Sequence, residues 1–288
     1  MIRTVRTVAE LRAHLAGWRD QGHRIALVPT MGNLHAGHHS LIELAKQNAD
    51  KVVASVFVNP TQFGPSEDFS RYPRTPEADA EGLAQAGCDL LFLPSVETMY
   101  PLGAEAAVRI RVPGVADVLE GAHRPGHFDG VATVVARLFN MVHPDVAIFG
   151  RKDYQQLQVI RHMTKDLAFA FAIDIVPGPT VREPDGLAMS SRNQYLSPDE
   201  RRVAVEIIRN LRTLRDQTAL GLPPAGLEQE AVERLTAAGF DVDYVAIRRA
   251  DLSIPDGGSE PGLLGLVAAR LGRTRLIDNL DFDGVDAR

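Results

Sequence analysis

The chain reads as an α/β protein: a parallel sheet with helices on both faces, followed by a smaller C-terminal α+β domain. Three observations carry this reading. Apolar strand-like runs alternate with helical stretches across the first 180 residues, the pattern of right-handed β-α-β crossovers. The run 51–58 (KVVASVFV) is apolar almost throughout, as a strand covered on both faces must be. Near residue 180 the pattern changes to helices followed by three extended segments, which sets the expected domains at 1–180 and 181–288.

Taken in order, Thr7-x-x-Glu10 is a capping-box pattern that Leu11, Leu15 and Trp18 continue as an amphipathic helix. Residues 24–28 form a short apolar strand, and Pro29 stops its ladder because it has no N–H to donate. A Gly-containing turn follows, and helical periodicity resumes at Leu41, Ile42, Leu44 and Ala45. After strand 51–58, Thr75-Pro76-Glu77 reads as N-cap, N1 and an early acidic residue, opening a helix toward Ala86. Residues 89–93 are a third strand and 109–112 an extended piece. A helix over 129–142 turns Val131, Val134, Val135, Leu138 and Met141 inward. Strand 145–149, helix 154–167 and strand 169–176 complete the first domain. In the second, Ser197-Pro198-Asp199-Glu200 opens a helix to about residue 217, 220–226 (LGLPPAG) is a linker, and 228–238 is a helix. Residues 243–248, 262–271 and 274–279 read as strands.

Composition narrows the function. With 288 residues, 45% hydrophobic and 24% charged, the chain is an ordinary globular protein. A net charge of −6 gives no nonspecific attraction to nucleic acid. Cys88 is the only cysteine, which excludes an internal disulfide and a Cys-based metal cluster and fits a reducing compartment. No apolar run approaches membrane-spanning length, and residues 1–6 (MIRTVR) lack a signal-peptide core. The expectation is a cytoplasmic protein acting on small molecules, with neither nucleic acid nor membrane as partner.

The stretch 28–42 carries the chemistry. His35-x-x-His38 sets two imidazoles on one face of a helix start, beside free N–H groups and the positive end of the dipole. Such a turn receives phosphate anions; the same residues also suit a polar surface turn. A zinc site lacks a third ligand, since His39 points about 100° away by helix geometry and no cysteine is near. In parallel sheets ligands sit beyond the carboxyl ends of the strands. Polar and glycine residues collect at four such ends: 31–38, 59–63, 150–153 and 182–192. The familiar nucleotide fingerprints are missing, for no two glycines are separated by one residue and no Gly-Lys pair exists. Cations must come from elsewhere. Lys152 is one of only four lysines against 27 arginines. Residues 189–193 (MSSRN) offer two hydroxyls and a guanidinium that can fork onto phosphate, though such a segment is also a common polar turn.

The order of these segments resembles the pantoate–β-alanine ligase family of the class I aminoacyl-tRNA-synthetase-like nucleotidyltransferases. The matching pieces are PTMGNLHAGH at 29–38, VNPTQF at 58–63, YPRT at 72–75, LEG at 119–121 with RPGHF at 124–128, FGRKDYQQ at 149–156, DGLAMSSRN at 185–193 and RLIDN at 275–279. The resemblance implies a Rossmann-like sheet and a two-step reaction in which pantoate and ATP give pantoyl adenylate and pyrophosphate, and β-alanine displaces AMP. It implies that His35, His38 and Lys152 face the triphosphate while Ser190, Ser191 and Arg192 clamp it. Met31, Gly32, Asn33, Leu34, Ala36, Gly37, Gly150, Arg151, Asp153, Val181 and Met189 would complete the ATP site. Gln62 and Gln156 would hold pantoate, with Asn59, Tyr72, Glu120 and Arg124 completing the pocket for pantoate and β-alanine. Mg²⁺ would travel on the ATP phosphates without a protein metal site. The family also implies a homodimer through the first domain. Two departures stand out: Arg151 where the family carries Glu, and Ala36 where an acidic residue is common. Two other functions fit the same residues: an adenylyltransferase acting on a phosphorylated acceptor without ligation, and a noncatalytic ATP-binding protein.

Overall fold

A computed structural model describes residues 2–65, 67, 69–257 and 260–284. Positions 258, 259 and 285–288 of the expected second domain lie outside the described residues. The chain divides into two compact units, Met1–Arg151 with Gln156–Gly178, and Lys152–Gln155 with Pro179–Arg288. The segment Lys152–Gln155 therefore goes with the second unit although it directly follows a strand of the first.

The first unit is built on six parallel strands: β1 (Arg3–Val5), β2 (Ile25–Thr30), β3 (Lys51–Val56), β4 (Leu90–Phe92), β5 (Val146–Gly150) and β6 (Asp174–Gly178). Their order is β1-β4-β3-β2-β5-β6. Between them run helices α1 (Val8–Asp20), α2 (Ala36–Asn48), α3 (Pro76–Gln85), α4 (Val96–Met99), α5 (Glu120–His123), α6 (His127–Val142) and α7 (Tyr154–Leu167). The sheet is buried on both faces: Ile25, Ala26, Leu27, Val28, Val53 and Ala54 have no exposed surface. The α/β reading of the sequence holds, and so does the capping box of α1, where Thr7 Oγ1 accepts from Glu10 N at 3.2 Å.

Strand order reverses beside β2, with β3 and β4 on one side and β5 and β6 on the other. The crevice of an open parallel sheet opens at such a point. It lies at the ends of β2 and β5, which lead into residues 31–38 and into Gly150 and Arg151.

Several elements differ from the sequence reading. Pro29 does not stop the strand, because β2 runs to Thr30 in register with Val56. Thr30 O accepts from Phe57 N at 3.1 Å, so Thr30 points its backbone groups at β3. The missing donor of Pro29 then faces β5, whose pairing with β2 ends at Leu27. The run 169–173 is not a strand. Phe169 packs its ring 5.7 Å from Phe139, and Phe171 stacks 4.5 Å from His143. Residues 109–112 form no strand either, and Ile110 N donates to Thr133 Oγ1 at 2.9 Å. The three-residue β1 is too short to show a sequence period.

The second unit has three antiparallel strands, β7 (Asp241–Arg249), β8 (Leu263–Leu271) and β9 (Thr274–Asp281), in that order. Helices α8 (Pro198–Val203), α9 (Glu206–Ala219) and α10 (Pro224–Ala237) precede them. The single helix expected from 197 to 217 breaks at the buried pair Ala204 and Val205, where Ile207 N bonds Ala204 O in a tightened turn. The core joins Ile207, Ile208, Leu211 and Leu214 of α9 to Leu227 and Leu235 of α10 and to Val245, Ile247 and Val267 of the sheet.

Leu27 is fully buried in the central strand. Leu27→Ala is expected to lower stability by about 2–5 kcal/mol, read from the shift of the denaturant midpoint.

Candidate functional site

In the first unit the site grows from the turn between β2 and α2. Gly32 and Asn33 are both left-handed, at φ 86° and 52°. A Cβ on Gly32 would stand 2.9 Å from Asp79 Oδ2 and 3.0 Å from Val56 Cγ1, so glycine is required for conformation and for space. The backbone donors of the turn are taken up one by one. Gly32 N donates to Thr30 Oγ1 at 3.3 Å. Asn33 N and Leu34 N donate to the two oxygens of Asp79 at 3.1 and 2.8 Å.

The helix start is closed by the two histidines. His35 is the N-cap of α2: its Nδ1 accepts from Gly37 N at 3.1 Å, and His38 Nδ1 accepts from His35 N at 3.2 Å. This is a capping box with imidazoles in both roles. The rings lie 4.2 Å apart. Because both Nδ1 atoms are acceptors, each ring carries its proton on Nε2, where it is a donor. Ala36 and Gly37 form the first turn of α2. His39 faces elsewhere, packed where a Cβ on Gly82 would meet its ring at 2.7 Å.

Next to this turn lies the segment after β3. Asn59 caps a 3₁₀ turn, Pro60–Gln62. Asn59 Nδ2 donates to Gln62 Oε1 at 3.0 Å and to Gly130 O at 3.2 Å. Tyr100 OH donates to Asn59 Oδ1 at 2.7 Å. With its amide oxygen held by Asn59, Gln62 directs Nε2 as a donor, 3.1 Å from Met31 Sδ. A Cβ on Gly130 would enter the backbone of Thr61 and Gln62, so that glycine lets α6 press directly on the turn. Tyr72 is buried against the Phe63 ring, 5.8 Å between centroids.

Arg124 is committed to carboxylates. Its Nε and Nη2 donate to the Glu67 oxygens at 2.7 and 2.6 Å, and its Nη1 donates to Glu120 Oε1 at 3.1 Å. Burial pushes the Glu67 carboxyl up, but the hydrogen bonds and charge of Arg124 outweigh it and hold Glu67 below the usual value. His127 joins this cluster to Gln62. Its Nδ1 lies 2.8 Å from Gln62 O and its Nε2 3.1 Å from Arg124 Nη1. A carbonyl only accepts and a guanidinium only donates, so the proton sits on Nδ1. Burial first, then the Arg124 charge, push the His127 ring down to about 4. Gln156, near the start of α7, is half-buried.

In the second unit, Lys152 and Asp153 lie in the 3₁₀ turn Arg151–Asp153, all three residues half-buried. Gly150, in the first unit, ends β5 in register with Gly178. Val181 O accepts from Met189 N at 3.0 Å, and Arg182 bridges Ala188, which closes a hairpin with Gly186 at its tip. Out of this hairpin come Ser190, Ser191 and Arg192. Ser190 caps the 3₁₀ turn Ser191–Tyr195, its Oγ accepting from Arg192 N at 3.2 Å.

Asp79, Tyr100 and His127 carry no role in the sequence reading, where Thr75 is the expected N-cap of α3. Thr75 makes no side-chain cap; its hydroxyl donates to Asp79 Oδ1 at 3.2 Å. The available signal was position, since Asp79 stands four residues before Leu83 on the inward stripe of α3, and both are buried. His127 lay within a recognised motif but carried no assigned role.

Asp79→Ala strands two backbone donors and is expected to cost roughly 1–3 kcal/mol, with faster amide exchange at Asn33 and Leu34. His127 gives a pH dependence. Its folded value lies below that of the unfolded chain, so its contribution is complete above the usual histidine value of 6.5 and is lost as pH falls toward about 4. An NMR titration should show no His127 midpoint near 6.5; finding one would contradict the buried neutral ring.

The comparisons with known proteins agree on one family. The family model for pantoate-beta-alanine ligase matches residues 3–281. A pantothenate synthetase of Xylella fastidiosa is 66% identical over 98% of this chain and 100% of its own length. That of Xanthomonas campestris is 62% identical with the same coverage. The crystal structure of the Thermus thermophilus pantothenate synthetase superposes with a TM-score of 0.90 at 50% identity, covering 98% of this chain and 99% of that one. A Francisella tularensis pantoate-beta-alanine ligase, crystallised with beta-gamma ATP and beta-alanine, gives a TM-score of 0.83 at 32% identity, covering 99% and 100%. With a family model and close relatives spanning nearly all of its length, the chain belongs to the pantoate–β-alanine ligase family.

Proposed function

We propose that this protein joins (R)-pantoate to β-alanine at the expense of ATP, through a pantoyl adenylate. The observation that carries the reading is the paired-histidine cap at the start of α2, which makes a donor of each Nε2 at the switch point of the sheet. In the first step a pantoate carboxylate oxygen attacks the α-phosphorus of ATP. The bond from that phosphorus to the bridging oxygen breaks and pyrophosphate leaves. In the second, the β-alanine amine attacks the acyl carbon, the bond to AMP breaks, and the amine loses a proton.

Charge grows on phosphate oxygens in the first step, and donors fixed in advance stabilise it most effectively. His35, His38 and Lys152 would meet that charge, with Ser190, Ser191 and Arg192 holding the triphosphate. The backbones of residues 31–34, 36, 37, 150, 151, 153, 181 and 189 would frame the nucleotide. Gln62 would present Nε2 to pantoate, paired with Gln156, while Asn59 fixes the Gln62 amide. Asn59, Tyr72, Glu120 and Arg124 would complete the pocket for pantoate and β-alanine, with Arg124 fixed by Glu67.

Mg²⁺ would neutralise phosphate charge while riding on the nucleotide. The described residues hold no group of three metal-binding side chains, and Mg²⁺ favours phosphate and water oxygens. The same reading carries the domain limits 1–180 and 181–288, a homodimer through the first domain, and a cytoplasmic location. Light scattering after gel filtration checks the dimer. No helix among the described residues is long and apolar enough to cross a membrane.

Incubation with ATP, Mg²⁺, D-pantoate and β-alanine should yield AMP and pantothenate. AMP release without β-alanine dependence would favour an adenylyltransferase, and bound but unconsumed ATP a noncatalytic binder. His38→Ala and Lys152→Ala should each slow single-turnover adenylate formation by about 10²-fold or more. Gln62→Ala should raise the pantoate KM and leave the ATP KM nearly unchanged; equal weakening of both would count against its role.

A further inference from the structure

The RLIDN segment at 275–279 is so far without a task, and its last two residues are anomalous for their place. Asp278 and Asn279 are consecutive in β9, paired with Val267 and Leu266 of β8, yet both are buried, at 5% and 6% exposure. Successive strand residues point to opposite faces, so a polar side chain is buried on each face, opposite the apolar Val267 and Leu266. Burying polar groups is unfavourable unless each finds a partner, and here the partners are informative.

Asp278 receives the fork of Arg182: Nη1 donates to Oδ2 at 2.7 Å and Nη2 to Oδ1 at 3.1 Å. Arg182 also donates to Gly186 O at 3.1 Å and to Asn279 O at 3.0 Å. It thereby ties the base and the tip of the hairpin that leads into Ser190, Ser191 and Arg192. Asn279 Nδ2 donates to the carbonyl of Lys152 at 2.8 Å. Tyr154 OH adds a second tether, 2.9 Å from Ala250 O.

We propose that Asp278 and Asn279 are positioning residues that bind the lysine turn and the serine–arginine hairpin to one strand, so that Lys152 and Arg192 move as a single body. The two cation sources are 40 positions apart in sequence and share no element; Asn279 holds the Lys152 carbonyl, and Asp278 holds Arg182 at the base of the hairpin that leads to Arg192. The segment Lys152–Gln155 accordingly belongs to the second compact unit. The inference rests on the reading that these cations serve ATP.

The test uses the full-length protein with Asn279→Leu, which keeps bulk and removes the amide donor. Binding of a non-hydrolysable ATP analogue is followed by calorimetry, beside the pantoate KM and the melting temperature. Loss of one buried hydrogen bond that orients Lys152 should weaken the analogue about tenfold. The pantoate KM should stay within about twofold, and in a Lys152→Ala background the same change should add less than about twofold. Unchanged analogue binding, equal weakening of pantoate, or a full effect in the Lys152→Ala background would overturn the proposal. Should Asn279→Leu fail to fold, Arg182→Lys replaces it: the charge stays, the fork is lost, and the effect should vanish in an Arg192→Ala background. If the unaltered protein makes no pantothenate, the ligase reading fails, while the calorimetric cycle still decides the positioning role.

Discussion

A chain that leaves a buried strand, turns sharply and enters a helix exposes a series of backbone N–H groups that no regular structure satisfies. A buried donor left without a partner costs roughly 1–3 kcal/mol, so the turn between β2 and α2 stands only if side chains accept from it. In this protein Thr30, Asp79, His38 and His35 do so for Gly32, Asn33, Leu34, His35 and Gly37. The consequence is chemical as well as structural. Histidines that accept through Nδ1 carry their proton on Nε2, so closing the helix also fixes two ring donors at its start.

The same logic places Gln62. Its amide oxygen is held by Asn59, which is held in turn by Tyr100, and its backbone carbonyl is held by His127. His127 is pinned on its other side by Arg124, which also donates to Glu67 and Glu120. Arg124 and Glu120 thus share a hydrogen-bonded cluster with His127, which bonds the Gln62 carbonyl. Gly130 lets α6 come close enough to add its own carbonyl to the network.

Much of the fold was legible because it rests on short-range rules. The capping boxes at Thr7 and Ser197 formed as their spacing requires, and the apolar run at 51–58 supplied the buried β3. Misreadings arose where distant contacts decided the outcome. The aromatic run 169–173 has strand composition but packs its rings on Phe139 and His143. Pro29 looks like a terminator, yet only one of its flanks needed a donor. Asp79 carries no role in the sequence reading, while its carboxylate accepts from a turn 45 residues earlier.

Residue type and near neighbours were enough for the alternation of strands and helices, the histidine spacing and the family resemblance. Tertiary structure decided the rest. It set the proton on Nε2 of His35 and His38, turned Arg124 inward, brought Asp79 and His127 to the site, and attached Lys152 to the last strand through Asn279. Each of these depends on which donor finds which acceptor across a long stretch of chain, and only the folded geometry selects that pairing.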